Sequence, residues 1–166
     1  MTINAQETKS QPETKMDIFL SKTGVVRKFI DYNLTPLKST YESTETRVRR
    51  FIIDSESKFF FQISKSSKYG KRVASIEYTD LLEVMKALSI LKESVNSDVS
   101  SNPDYLENKF ITVDGFQVGY YVSKGKAKWY AVLEKYGSDN TIYFDDVNMF
   151  ENICIEAKTK IEDLRK

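Results

Sequence analysis

Carboxylates, hydroxyls and amines are the only groups this chain offers for chemistry, because it contains no histidine and a single cysteine, Cys154. Without histidine, a Ser-His-Asp or Cys-His nucleophile system cannot be built, and zinc sites assembled from His and Cys are excluded. Cys154 falls on the apolar stripe of a C-terminal helix, where it reads as a small buried hydrophobe. The carboxylates that could do acid-base work or hold calcium are Asp145 with Asp146, Asp114, and Glu77 with Asp80. Each has a structural role at hand: helix caps, a hairpin turn, a solvated strand end. No calcium-loop spacing and no phosphate-binding glycine loop accompany them. The inventory therefore points away from an enzyme, a metal and a cofactor.

Aromatic residues are the second resource, 13% of the chain with ten Tyr, ten Phe and one Trp. Most belong to a core, since aromatics suit pleated strands with one buried face. The informative subset projects from the other face. Phe60, Gln62, Tyr121 and Tyr130, with Arg47, Arg49 and Lys128, form the expected ligand surface. Such a surface stacks on bases or sugars or anchors a protein partner. The competing expectation is that a second repeat or a dimer mate buries this face.

Two helices must position these residues. In Ile76 to Val95, the apolar positions Leu81, Val84, Leu88, Leu91 and Val95 share one helix face, and Asp80 with Glu83 forms a capping-box pattern. An echo runs from Ile142 to Ile161, pairing Ile76 with Ile142, Tyr78 with Phe144, Asp80 with Asp146, Leu81 with Val147, Val84 with Phe150 and Leu88 with Cys154. Upstream, KFFFQISK aligns with KWYAVLEK. Strand alternation places Phe59, Phe61 and Ile63 on the helix-covered face with Trp129, Ala131 and Leu133, leaving Phe60, Gln62, Tyr130 and Val132 opposite.

The turns complete the architecture. A first strand is expected over about Val25 to Leu34, a loop over PLKSTYESTET, and strands in RVRRFIIDS, KFFFQIS and KRVASIEY. Asn96 to Asn108 is the joint between repeats, and Asp114 with Gly115 is a hairpin signal before FQVGYYV. The expected fold is α+β: a tandem pseudo-repeat of four antiparallel strands followed by one helix, the helices packed on one sheet face. Residues 16–166 form one domain made of repeat 1 (about 25–98) and repeat 2 (about 109–166), and residues 1–15 form a signal-peptide remnant or a disordered terminus. The 166 residues suffice for one core, no run approaches a membrane span, and a net charge of +1 gives no global attraction to nucleic acid.

Two resemblances add an address and a topology. MTINAQE resembles the end of a secretory signal peptide of Gram-negative bacteria, with Ala5 before Gln6 at the cleavage point. This implies an exported bacterial protein, periplasmic or outer-membrane associated; a cytoplasmic address is the alternative. The order of four strands then one helix, in tandem, resembles the Pur-alpha and whirly families, which implies single-stranded nucleic-acid binding through the sheet face. Beta-lactamase inhibitor proteins also repeat a four-stranded sheet but place their helices first. The expected function is a non-catalytic exported binding module for a protein, peptide or glycan, with nucleic acid as the alternative.

Overall fold

A computed structural model describes residues 13–166; the Ala5–Gln6 cleavage pattern lies outside the described residues. The elements run α1 (Lys15–Leu20), β1 (Arg27–Asn33), β2 (Thr44–Ile53), β3 (Glu56–Ser67), β4 (Gly70–Glu77), α2 (Tyr78–Ser100), β5 (Leu106–Ile111), β6 (Gln117–Ser123), β7 (Lys126–Val132), β8 (Thr141–Phe144) and α3 (Val147–Leu164). Strands β1 to β4 form one antiparallel meander and β5 to β8 another, each followed by a helix. The expected repeat of four strands and a helix is the observed one.

Period-2 alternation decides which face each strand buries. Val48, Phe61, Ile63, Ala74 and Ile76 of the first sheet share one core with Val118, Tyr120, Trp129, Ala131, Ile142 and Phe144 of the second. Both helical stripes enter it: Leu81, Val84, Leu88 and Leu91 from α2, and Phe150, Cys154, Ala157 and Ile161 from α3. The helices do not stay on their own sheets. Helix α2 packs on β3 and β4 and also on β5, β6 and β7, while α3 packs on α2 and reaches β2.

Polar clasps reinforce this exchange. The Lys65 side chain is only 3% exposed, and its ammonium donates to Glu42 at 2.9 Å, to Asp139 at 3.0 Å and to the Thr141 carbonyl at 3.1 Å. Burial opposes its charge, but these acceptors outweigh that and hold the amine above its ordinary range. The Val73 amide donates to Glu134 and the Tyr78 hydroxyl to Glu162, each at 2.9 Å.

Two local expectations are corrected. The domain expected from residue 16 has its first helix at Lys15, where Thr14 caps α1 in a reciprocal bond pattern with Asp17 and Asp114 accepts from the Lys15 amide at 3.2 and 3.1 Å. Asp80 does not cap α2. The helix starts at Tyr78, with Glu77 at the cap position making no side-chain bond, and Asp80 instead accepts from the Lys15 ammonium at 2.6 Å. The joint between repeats is also helical as far as Ser100. At α3 the expectation is met, since Asp146 accepts from the Asn148 amide at 2.9 Å.

Candidate functional site

The seven residues expected to form one ligand surface divide between two sheets. Arg47, Arg49, Phe60 and Gln62 lie on the outer face of the first sheet, where Arg47 pairs in register with Gln62 and Arg49 with Phe60. Tyr121, Lys128 and Tyr130 lie on the second, where Tyr121 pairs with Lys128 and Tyr130 with Gly119.

On the first sheet the outer face is largely used up. Phe60 is fully buried in a small cluster with Phe19 of α1, Phe51 and Ile53, packed by Met16 and Leu20. Its exposure was the wrong expectation, because α1 folds over the strand and supplies a second, minor core. Gln62 is buried too, accepting from Arg47 Nε at 2.8 Å and donating to Ser75 at 2.9 Å. Arg49 makes a bidentate pair with Asp31 at 2.6 and 2.7 Å and stacks over Phe29 at 4.3 Å. The Arg49 bond leads the causes that hold the Asp31 carboxyl below its ordinary range.

On the second sheet the outer face carries a row of tyrosines. Ring centroids step from Tyr105 to Tyr121 at 6.0 Å, to Tyr130 at 6.5 Å, to Tyr143 at 6.5 Å and to Tyr41 at 6.3 Å. Each ring comes from a different segment. Tyr105 precedes β5, Tyr121 stands on β6, Tyr130 on β7 and Tyr143 on β8. Tyr41 arrives from the 34–43 connection, which is anchored by buried Leu34 and Leu37 and by the Thr40 amide donating to the Tyr143 carbonyl at 2.8 Å. Tyr105 and Tyr41 are 62% and 79% exposed, Tyr121 and Tyr143 are half-buried, and Tyr130, 6% exposed, is the floor.

A carboxylate stands inside this row. Glu107 Oε1 accepts from the Tyr130 hydroxyl and pairs with Lys109 at 3.0 Å, and Oε2 accepts from the Tyr105 hydroxyl at 3.2 Å. Tyr130 reaches Glu107 by crossing β6 at Gly119, its partner in register, where no side chain stands in the way. There is no room for one: a Cβ at Gly119 would lie 2.2 Å from the Asn108 carbonyl oxygen. The Tyr130 and Lys109 bonds hold Glu107 below the ordinary carboxylate range, so it is ionised at neutral pH. Burial first, and then Glu107 itself, push the Tyr130 phenol above its ordinary value. Glu107 and the rings of Tyr105, Tyr121, Tyr130 and Tyr143, with Val132 and Thr141, line a groove of about 300 Å³.

Lys128 sits at the end of the row and is already engaged, donating to Asp145 at 2.6 Å and to Thr40 at 2.9 Å. Two larger clefts, of about 340 and 520 Å³, lie beside α1 and beside the α2 N-terminus. Several of their charged groups are engaged in the fold: Asp114 accepts from the Lys15 amide, Glu134 accepts from Val73, and Glu77 pairs with Lys15 and Lys58, whereas Arg50, in the second, keeps a buried Nε with no partner among the described residues. Sequence reasoning named Tyr121, Tyr130 and Lys128 but missed Tyr105, Glu107, Tyr143 and Tyr41. Tyr143 was within reach, since it alternates with the inward pair Ile142 and Phe144. Comparison of the chain with protein-family models, with curated proteins and with solved structures returns no match.

Proposed function

We propose that this chain is a non-catalytic binding module that holds an extended peptide segment of a partner protein on the outer face of its second sheet. The observation that carries the reading is the five-tyrosine row, whose rings succeed one another every 6.0 to 6.5 Å. In an extended peptide, side chains on one side recur every two residues, roughly 6.6 Å apart, a spacing that matches the distance between neighbouring rings around the groove. Tyrosine suits this work because it offers a large apolar surface with a polar tip at low entropic cost. Nucleic acid is less well served. Arg47 and Arg49 are paired on the other sheet, Lys128 is paired with Asp145, and Lys109, the cation beside the groove, is paired with Glu107.

The test is selection of peptides from a random library on the full chain, repeated with Tyr121→Ala combined with Tyr143→Ala. Peptides that lose at least about tenfold in affinity for the double variant support the reading. Peptides indifferent to it would sink the reading, as would oligonucleotide binding that falls steeply with salt and depends on the same two tyrosines.

A further inference from the structure

Resting on that peptide reading, we infer that the groove at Glu107 takes a cationic side chain, of the guanidinium class, from the bound segment. The argument begins with a constellation that the chain already uses internally. The Tyr78 hydroxyl donates to Glu162 at 2.9 Å, Lys158 pairs with the same carboxylate at 2.9 Å, and the Arg165 guanidinium lies 4.6 Å over the Tyr78 ring. The groove repeats the first two parts: tyrosine hydroxyls on a carboxylate, and a lysine on that carboxylate. The third part is not supplied from within. Among the described residues no lysine or arginine lies over Tyr105, Tyr121, Tyr130 or Tyr143, although nine other aromatic rings have such a partner.

Physical chemistry favours a cation there over the alternatives. A guanidinium is drawn to the negative faces of aromatic rings and lies flat against them. Phenols that donate to a carboxylate are polarised toward phenolate, which enriches those faces. Lys109 takes Oε1, so Oε2, with only the Tyr105 hydroxyl on it, keeps acceptor capacity for an incoming N–H. An anion would meet Glu107 directly. An apolar side chain would strip water from an ionised carboxylate and return no hydrogen bond. Net charge does not contribute, because at +1 the protein has no general attraction for cations.

The experiment is an NMR titration of the full chain, with tyrosine rings labelled with carbon-13, using acetyl-triarginine amide and its citrulline counterpart as probes. Citrulline keeps the shape and most of the donors but lacks the charge. The expected result is saturable shifts of the Tyr105, Tyr121 and Tyr143 rings with the arginine probe, and at least tenfold weaker binding of the citrulline probe. Glu107→Gln should weaken the arginine probe by a similar factor and leave the citrulline probe unchanged. Tyr121→Leu, which keeps the apolar bulk and removes the π face, should weaken the arginine probe while the melting temperature holds. Equal affinity for both probes, or indifference of arginine binding to Glu107→Gln, overturns the inference. If library peptides still depend on Tyr121 and Tyr143 in that case, the failure belongs to the cation alone; if none does, the peptide reading has failed with it.

Discussion

Replacing Gly119 with alanine puts a carbon 2.2 Å from the Asn108 carbonyl oxygen and 2.6 Å from Lys109 Cα, both backbone atoms of β5. Ordinary contact needs 3.4 Å or more, so β5 must retreat from β6 by about 1 Å, and no rotamer change can absorb it. Overpacking of this kind costs about 1–3 kcal/mol, and a clash against backbone belongs at the upper end. For a chain of this size that is a fall in melting temperature of roughly 6–12 °C, read by circular dichroism. The site should register the displacement as well, because β5 carries Glu107 and Lys109 while Tyr130 comes from β7. Stretching the Tyr130 bond to Glu107 should let the carboxyl titrate nearer its ordinary value, a shift visible by NMR. A variant that melts within a degree or two of the parent, with Glu107 titrating unchanged, would refute the claim that Gly119 is the lane between Tyr130 and Glu107.

Phe60→Ala empties the small core under α1 and should cost about 3–5 kcal/mol, while leaving ligand binding at the second sheet intact; a neutral melting curve would mean that α1 does not cover the strand. Lys65→Ala removes the buried clasp, but Glu42 and Asp139 reach water, so the loss should be nearer 2 kcal/mol than the roughly 3–5 of a fully buried pair by denaturant melting. The pH dependence has two limbs. Glu107 and Asp31 have lowered pKa values when folded, so their stabilisation is present above the unfolded carboxylate range and is lost as pH falls through the folded values. Burial, then the bond to Asp98, pushes Tyr120 up to about 12, so its contribution is full below the unfolded value near 10 and is lost as pH rises toward 12. Tyr120→Phe should make that alkaline limb shallower in melts taken across it, with Tyr130, raised in the same direction, keeping the remainder. Burial likewise raises the Cys154 thiol, which should resist a thiol reagent in the folded protein and react fully in denaturant.

What the sequence made legible is what local periodicity can carry. The stripe of Leu81, Val84 and Leu88, and the alternation of Phe59, Phe61 and Ile63, each follow from one element's geometry, and all six residues entered the shared core. Features that depend on distant segments were hidden. Asp80 and Glu83 spell a capping box, but Lys15, far away in sequence, claims the Asp80 carboxylate. Phe60 alternates outward as expected, yet α1 is a six-residue helix, too short to carry a periodic signal, and its Phe19 closes the face. The site was legible in half. Tyr121 and Tyr130 were visible from alternation, whereas Glu107 lies in a part of β5 before Lys109 that turn residues disguise as linker. Tyr41 belongs to a polar connection whose buried Leu37 anchors it only in three dimensions.

The central claim is that the tyrosine row of the second sheet is the working surface. Its most direct test is to select peptide ligands on the full chain and to measure their affinities for Tyr121→Ala with Tyr143→Ala alongside Arg47→Ala with Arg49→Ala. The account expects a loss of tenfold or more for the tyrosine pair and no change for the arginine pair. Loss confined to the arginine pair would move the surface to the first sheet and contradict it.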